Sequence, residues 1–271
     1  MDSTTASPIG PLLRDWRTRR RMSQLDLALD AEISQRHLSF LESGRAAPSR
    51  DMVLRLAERL DVPLRQRNRL LLAAGYAPSF AERPLTDTSL APAMRAVELV
   101  LEGHEPNPAI AVDGHWNLIA RNAAIAPLLA DVADPALLAP PVNVLRLSLH
   151  PRGLAPRIEN IGEWRAHALE RLRRLSAATG DPQIADLEAE LRAYRHHDSG
   201  RPIRHDYSDI AVPLRLRFGA ATLCFISTIT VFGTPLDVTV SEIAIESFFP
   251  ADQATAEAMR AAALARREGS A

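Results

Sequence analysis

Residues 22–62 read MSQLDLALDAEISQRHLSFLESGRAAPSRDMVLRLAERLDV, and three serines divide this stretch into helices. Ser23, Ser34 and Ser49 each stand just before a run of apolar residues at helical spacing. A serine oxygen in that position can accept the orphan N–H groups of a first helical turn. Asp26, three residues after Ser23, completes a capping box, and Leu25, Leu27, Ala28 and Leu29 are expected to supply core to a helix that ends at Ala31. After a turn of about three residues, Ser34 opens a further helix with Leu38 and Leu41 on one side, which Gly44 stops. Two short helices joined this way form a bihelical unit whose second member fits a major groove roughly 12 Å wide. Such a helix must begin with an exposed polar face. Gln35, Arg36 and Ser39 point away from the leucine stripe, with His37 beside them, and Gln and Arg suit bidentate contact with adenine and guanine.

The same logic extends outward. Leu12, Leu13 and Trp16 share a face of a first helix that ends in the basic run Arg19, Arg20 and Arg21. Val53, Leu56, Ala57 and Leu60 make a fourth helix, and Pro63 separates a fifth, Leu64 to Ala74, which Gly75 closes. Residues 1–8 are small and polar and are expected to fray. The expectation is an all-α domain over 1–76, then a linker over 77–90 marked by Pro78 and Pro84.

The run Ser23-Gln24, Leu27-Ala28, Ile33-Ser34, Leu38, Glu42, Gly44 and Pro48 resembles the xenobiotic-response-element type of helix-turn-helix, the lambda repressor and Cro superfamily. The resemblance implies that Gln24 and Arg45 hold phosphates while Ser34, Gln35, Arg36 and Ser39 face bases of double-stranded DNA. Arg50 is a further candidate for phosphate, or pairs locally, and His37 is either a reader or a solvated surface histidine. One position departs from the family pattern: Glu32 stands where the turn usually carries glycine. A left-handed backbone there costs about 1–2 kcal/mol without glycine. The rival reading of the same five helices is a protein-interaction module or antitoxin, which would ignore DNA.

Beyond residue 90 the periodicity changes. Ile110, Val112, Trp116, Leu118 and Ala120 alternate around Asp113 and Gly114, a hairpin signal. Helical spacing returns at Asn122–Ala130, Val144–Leu149, Trp164–Ala178 and Ile184–Tyr194. Three alternating runs follow: Ile210 to Phe218, Leu223 to Val231, and a last strand with Ile243, Ile245, Ser247 and Phe249 as its apolar row. An alanine-rich helix, Asp252 to Arg267, ends the chain. Two strands, several helices and three more strands around one antiparallel sheet make the second domain, 91–271, and give an α+β class. A five-stranded antiparallel sheet with helices on one face leaves a concave inner surface, and ligand sites prefer apolar concavities. The inward rows contain Trp116, Leu118, Leu214, Leu216, Phe225, Ile229 and Ile245, with Trp164 opening a helix able to cover them. Ser227 is an isolated hydroxyl suited to orient a head group. Ordinary core is the alternative for each of these residues.

The segments NPAIAVDGHWNLIARNAA and IAIESFFPADQAT, together with the N-terminal text, are similar to the MmyB-like family of transcription regulators. That resemblance covers nearly the whole chain. It implies a PAS-like C-terminal domain with a pocket for a small, largely apolar molecule such as a fatty acid.

Composition limits the rest. The 271 residues, 46% hydrophobic and 24% charged, suffice for two cored domains without staples. Residues 1–80 hold thirteen arginines against nine carboxylates, and the remainder nineteen against twenty-four, so the positive excess lies at the DNA-reading end. Cys224, the single cysteine, forms no internal disulfide and reads as a buried small hydrophobe, which fits a reducing cytoplasm. No apolar run reaches 18 residues, so no membrane partner is expected. His196, His197 and Asp198 are the only histidine cluster and lack a matching Cys or His pair, so no metal is expected. Neither a glycine-rich phosphate loop nor a nucleophile elbow occurs; no catalytic residue or cofactor is assigned. The expected assembly is a homodimer on a palindromic operator with successive major grooves about 34 Å apart. Its interface is expected at the sheet of the second domain or the terminal helix around Met259 and Leu264.

Overall fold

The computed structural model describes residues 9–195 and 211–268. The chain separates into two compact units. One comprises the chain up to Pro84 with Ala177–Gly180 and Pro235–Ser241; the other comprises Leu85–Ser176, Asp181–Thr234 and the chain from Glu242. The expectations for residues 1–8, for Ile210 and for His196, His197 and Asp198 lie outside the described residues.

The first unit contains α1 (Ile9–Arg19), α2 (Gln24–Asp30), α3 (Gln35–Glu42), α4 (Arg50–Arg59) and α5 (Leu64–Ala73). Its helix starts follow the serines. Ser23 accepts from Asp26 N while Asp26 accepts from Ser23 N, Ser34 accepts from His37 N, and Ser49 accepts from Met52 N. Its helix ends use left-handed residues: Arg21 and Glu32 at φ 56°, Asp61 at 46°, Gly44 at 73° and Gly75 at 84°. Each lets the next amide reach back to a helical carbonyl, as in Ile33 N to Ala28 O at 2.9 Å and Val62 N to Ala57 O at 2.9 Å. The turn therefore adopts the glycine conformation with Glu32 in it. Leu13, Trp16, Leu27, Leu38, Leu41, Leu56, Leu70 and Leu71 are buried together. α1 lies so close to the end of α3 that a Cβ on Gly10 would stand 2.5 Å from Glu42 O. Residues 77–84, expected as linker, are held within this unit: Asn68 bonds the backbone of Ser79 and Phe80.

In the second unit the chain forms α6 (Ala91–Gly103), β1 (Ala109–Val112), β2 (Leu118–Arg121), α7 (Val144–Leu149), α8 (Ile161–Thr179), α9 (Pro182–Ala193), β3 (Leu214–Phe218) and β4 (Ala221–Val231). The short α10 (Val238–Ser241) belongs to the first unit, and β5 (Ala244–Pro250) and α11 (Gln253–Glu268) complete the second. The strands form one antiparallel sheet in the order β2-β1-β5-β4-β3. The class is α+β, as the alternation and helical spacing implied. Residues 123–129 are 3-10 rather than α-helical, with Pro127 inside.

Helices cover both faces of this sheet, where one covered face was expected. Helix α6, to which the sequence reading assigns no element, buries Val97 and Leu101 against Ala109, Ala111, Ile243 and Ile245. The opposite face holds the larger core, with Ile110, Val112, Leu216, Leu223, Phe225 and Phe248 against Trp164, Ala168 and Leu172 of α8. Because strand side chains alternate, Ile245 belongs to the α6 face, and the row facing the larger core is Ala244, Glu246 and Phe248. This corrects the placement of Ile245 in the inward row. A charged residue in the middle of the true row makes the odd-numbered row look like the apolar one.

Candidate functional site

The exposed start of α3 is the first candidate. Ser34, Gln35 and Arg36 are exposed, and His37 and Ser39 are half-buried beside them. Leu38 and Leu41 point inward and are fully buried, so the polar face cannot turn away from solvent without emptying the core. The Phe40 ring lies under two guanidiniums, Arg36 at 5.3 Å and Arg45 at 5.9 Å, which brings two cations together at one edge of the helix.

Gln24 sits differently from an unencumbered phosphate ligand. Its Nε2 donates to Glu42 Oε2 at 2.8 Å, leaving one amide hydrogen for another acceptor. Glu42 is buried and also receives Arg17 through Nε at 2.6 Å and Nη2 at 2.9 Å. Burial alone would raise the Glu42 pKa. The hydrogen bonds from Arg17 and Gln24 and the charges of Arg17 and Arg14 outweigh it and hold the carboxyl below its usual range. Arg50 is exposed and donates through Nη2 to Ser79 Oγ at 2.7 Å, so it pairs locally. Of the basic run, Arg19 binds Asp15, and Arg20 donates to the carbonyls of Leu60 and Asp61.

The second candidate is a cavity of about 100 Å³ between the sheet and α7–α8. Leu118, Trp164, Leu214, Leu216 and Phe225, all expected as ligand contacts, line it. Trp116 belongs to the same core, held at φ 66° in the β1–β2 turn, and its ring lies 4.8 Å from the Arg171 guanidinium. Ser227 and Ile229 pair across the strands with Phe248 and Glu246, so they share the cavity's face of the sheet. Neither lines the cavity, however, and Ile229 is 44% exposed. Ile245 is on the other face, as described.

The polar groups at this cavity are ones the sequence reading did not single out: Ser148 of α7, His167 and Arg171 of α8, and Glu246 of β5. Trp164 Nε1 donates to Ser148 Oγ at 2.9 Å. Arg171 donates from Nη1 and Nη2 to one oxygen of Glu246, Oε1, at 3.2 and 3.1 Å. It also donates from Nη2 to His167 Nε2 at 3.3 Å, and since a guanidinium only donates, that nitrogen is the acceptor and the neutral ring carries its hydrogen on Nδ1. Burial, then the Arg171 charge, push the His167 pKa down, which keeps the ring neutral near neutral pH. The only early signal was Glu246 itself, a lone charge inside the apolar text Ile243 to Phe249.

Cys224 is buried, and desolvation raises its thiol pKa. Met259 is core, 3% exposed, which removes it from the expected dimer surface; Leu264 is 59% exposed. Among the described residues no helix is long and apolar enough to cross a membrane, and no three His, Cys, Asp or Glu gather as a metal site.

Two family models match the chain. Residues 13–66 match the helix-turn-helix model, and residues 93–262 match the model of the MmyB-like transcription regulator ligand binding domain. Curated proteins yield no significant match.

Proposed function

From its membership of the family of MmyB-like transcription regulators, with an XRE-type helix-turn-helix domain ahead of the ligand-binding domain, we propose how this DNA-binding regulator works. Two copies bind a palindromic operator in the cytoplasm, each inserting the first turn of α3 into a major groove. A small, largely apolar molecule with a fatty-acid-like body occupies the cavity of the second unit and biases DNA binding. Regulation requires that the molecule bind the DNA-competent and incompetent states with different affinity.

The observation that carries the DNA half is the polar first turn of α3 standing exposed above a fully buried Leu38 and Leu41. Gln35, which donates and accepts, and Arg36, which only donates, read base edges together with Ser34 and Ser39, while Arg45 holds phosphate. Gln24, with one amide hydrogen to spare, adds a phosphate contact. The ligand half rests on a largely apolar cavity with polar groups gathered at one part of its wall.

The test is a gel shift on an operator selected from random duplex DNA. Arg36→Ala, with its circular dichroism unchanged, should lose specific binding and keep non-specific binding. Unchanged specificity would refute base reading by α3. Mass spectrometry of small molecules released from the purified protein tests the ligand half, and a cavity that yields none and is stabilised by none would count against it.

A further inference from the structure

The polar part of the cavity wall carries one cation and one anion, and their charges cancel. Arg171 is held by Glu246 and covered on one ring-facing side by Trp116; His167 is neutral. Among the described residues no other ionisable side chain lines the cavity. A carboxylate entering this largely apolar space would bring a net negative charge beside a Glu246 side chain that is only 5% exposed. Burying an unbalanced charge is strongly disfavoured.

Glu246 has a second property. Both Arg171 nitrogens go to Oε1, and among the described residues Oε2 receives no hydrogen bond. An ionised carboxylate can accept about four hydrogen bonds, so Glu246, with one oxygen not engaged by any described residue, has room for a further donor. What suits the site is therefore an uncharged N–H or O–H, with an apolar body behind it.

We infer that the cavity selects a small apolar molecule ending in an uncharged hydrogen-bond donor, a hydroxyl or amide, and that Glu246 is the residue that discriminates against free carboxylates. This rests on the cavity being the ligand site and changes only the head group of the ligand proposed above. Glu246 Oε2 accepts from the ligand's donor, and Arg171 stays balanced by Oε1.

Octanol, octanamide, methyl octanoate and octanoate share one chain length and separate the cases, since octanoate is ionised at neutral pH and the ester cannot donate. Calorimetric titration of the full chain should rank octanol and octanamide above methyl octanoate, and octanoate at least about tenfold below the alcohol. Glu246→Gln leaves Arg171 uncompensated, so it should gain affinity for octanoate and lose the preference for octanol. Octanoate binding the unaltered protein as tightly as octanol overturns the inference and leaves the cavity reading standing. Methyl octanoate equal to octanol overturns the role of the donor. If none of the four binds, the cavity reading falls and the inference with it. The ranking in the unaltered protein is decisive even if Glu246→Gln does not fold.

Discussion

Arg17 and Glu42 lock α1 to the end of α3 through two hydrogen bonds, 2.6 and 2.9 Å, between side chains that are 12% and 3% exposed. Gln24 completes the network from α2, so the three helices that shape the DNA-reading turn meet at one carboxylate.

Breaking that network should be expensive. Replacing Glu42 by Gln leaves the Arg17 guanidinium without a counter-charge, and removal of one partner from a buried pair costs about 3–5 kcal/mol. Urea denaturation of Glu42→Gln should show a loss of that order; a loss under about 1 kcal/mol would mean that water reaches the pair and screens it.

The same carboxylate sets an acid limit. Its pKa is lower folded than unfolded, so the stability it confers is complete above the unfolded value of about 4.3 and is lost as pH falls through the folded value. Glu42→Gln should flatten that part of the stability curve. His167 acts higher on the scale. Its folded pKa is also lowered, and the neutral buried ring resists the proton, so stability declines as pH drops below about 6.5. In His167→Gln the decline between neutral pH and the acid limit should shrink, measured as the melting temperature against pH.

Glu32 occupies a left-handed backbone at φ 56° with no compensation from a glycine. Glu32→Gly should stabilise the protein by about 1 kcal/mol, by removing the Cβ clash. Glu32→Ala, which keeps the Cβ, should not. Equal gains from both variants would show that the side chain, rather than the backbone, was the burden.

The DNA contacts should separate by type. Arg36→Ala and Gln35→Ala are each expected to cost about 1–3 kcal/mol of specific binding and to relax preference at particular base pairs. Arg45→Ala should weaken all sequences alike and reduce the salt slope by about one. Arg50→Ala should change affinity little, since its guanidinium is bound to Ser79. Gel shifts across a salt series on matched and scrambled duplexes distinguish these outcomes.

Helices α1 to α5 of the first unit were legible because their instructions are local. A serine cap acts on an amide three residues away, a left-handed residue closes the helix it ends, and both operate over one turn. Leu38 and Leu41, at a spacing of three, then decide which side of α3 faces outward. Even the cost at Glu32 could be read from its place after Ala31. Helix α6 escaped although Val97 and Leu101 carry helical spacing, because the alternation that begins at Ile110 drew the reading toward strands.

In the second unit, periodicity identified the strands and the apolar residues, and there it reached its limit. A strand's alternation defines two rows without saying which covering each will meet. For β5 the apolar row, Ile243 and Ile245, meets α6, and the row with Glu246 meets the cavity. That assignment depends on Arg171, seventy-five positions earlier, arriving opposite Glu246. A lone charge inside an apolar strand is a burden until its partner is in place, and no local rule brings a partner across that distance. By itself, then, the sequence determined the helices α1 to α5, the turn at Glu32 and the outward face of α3, since those interactions close within a few residues. Only the tertiary structure decided which side of the sheet holds the cavity and what charge it presents, since those depend on groups that folding alone makes neighbours.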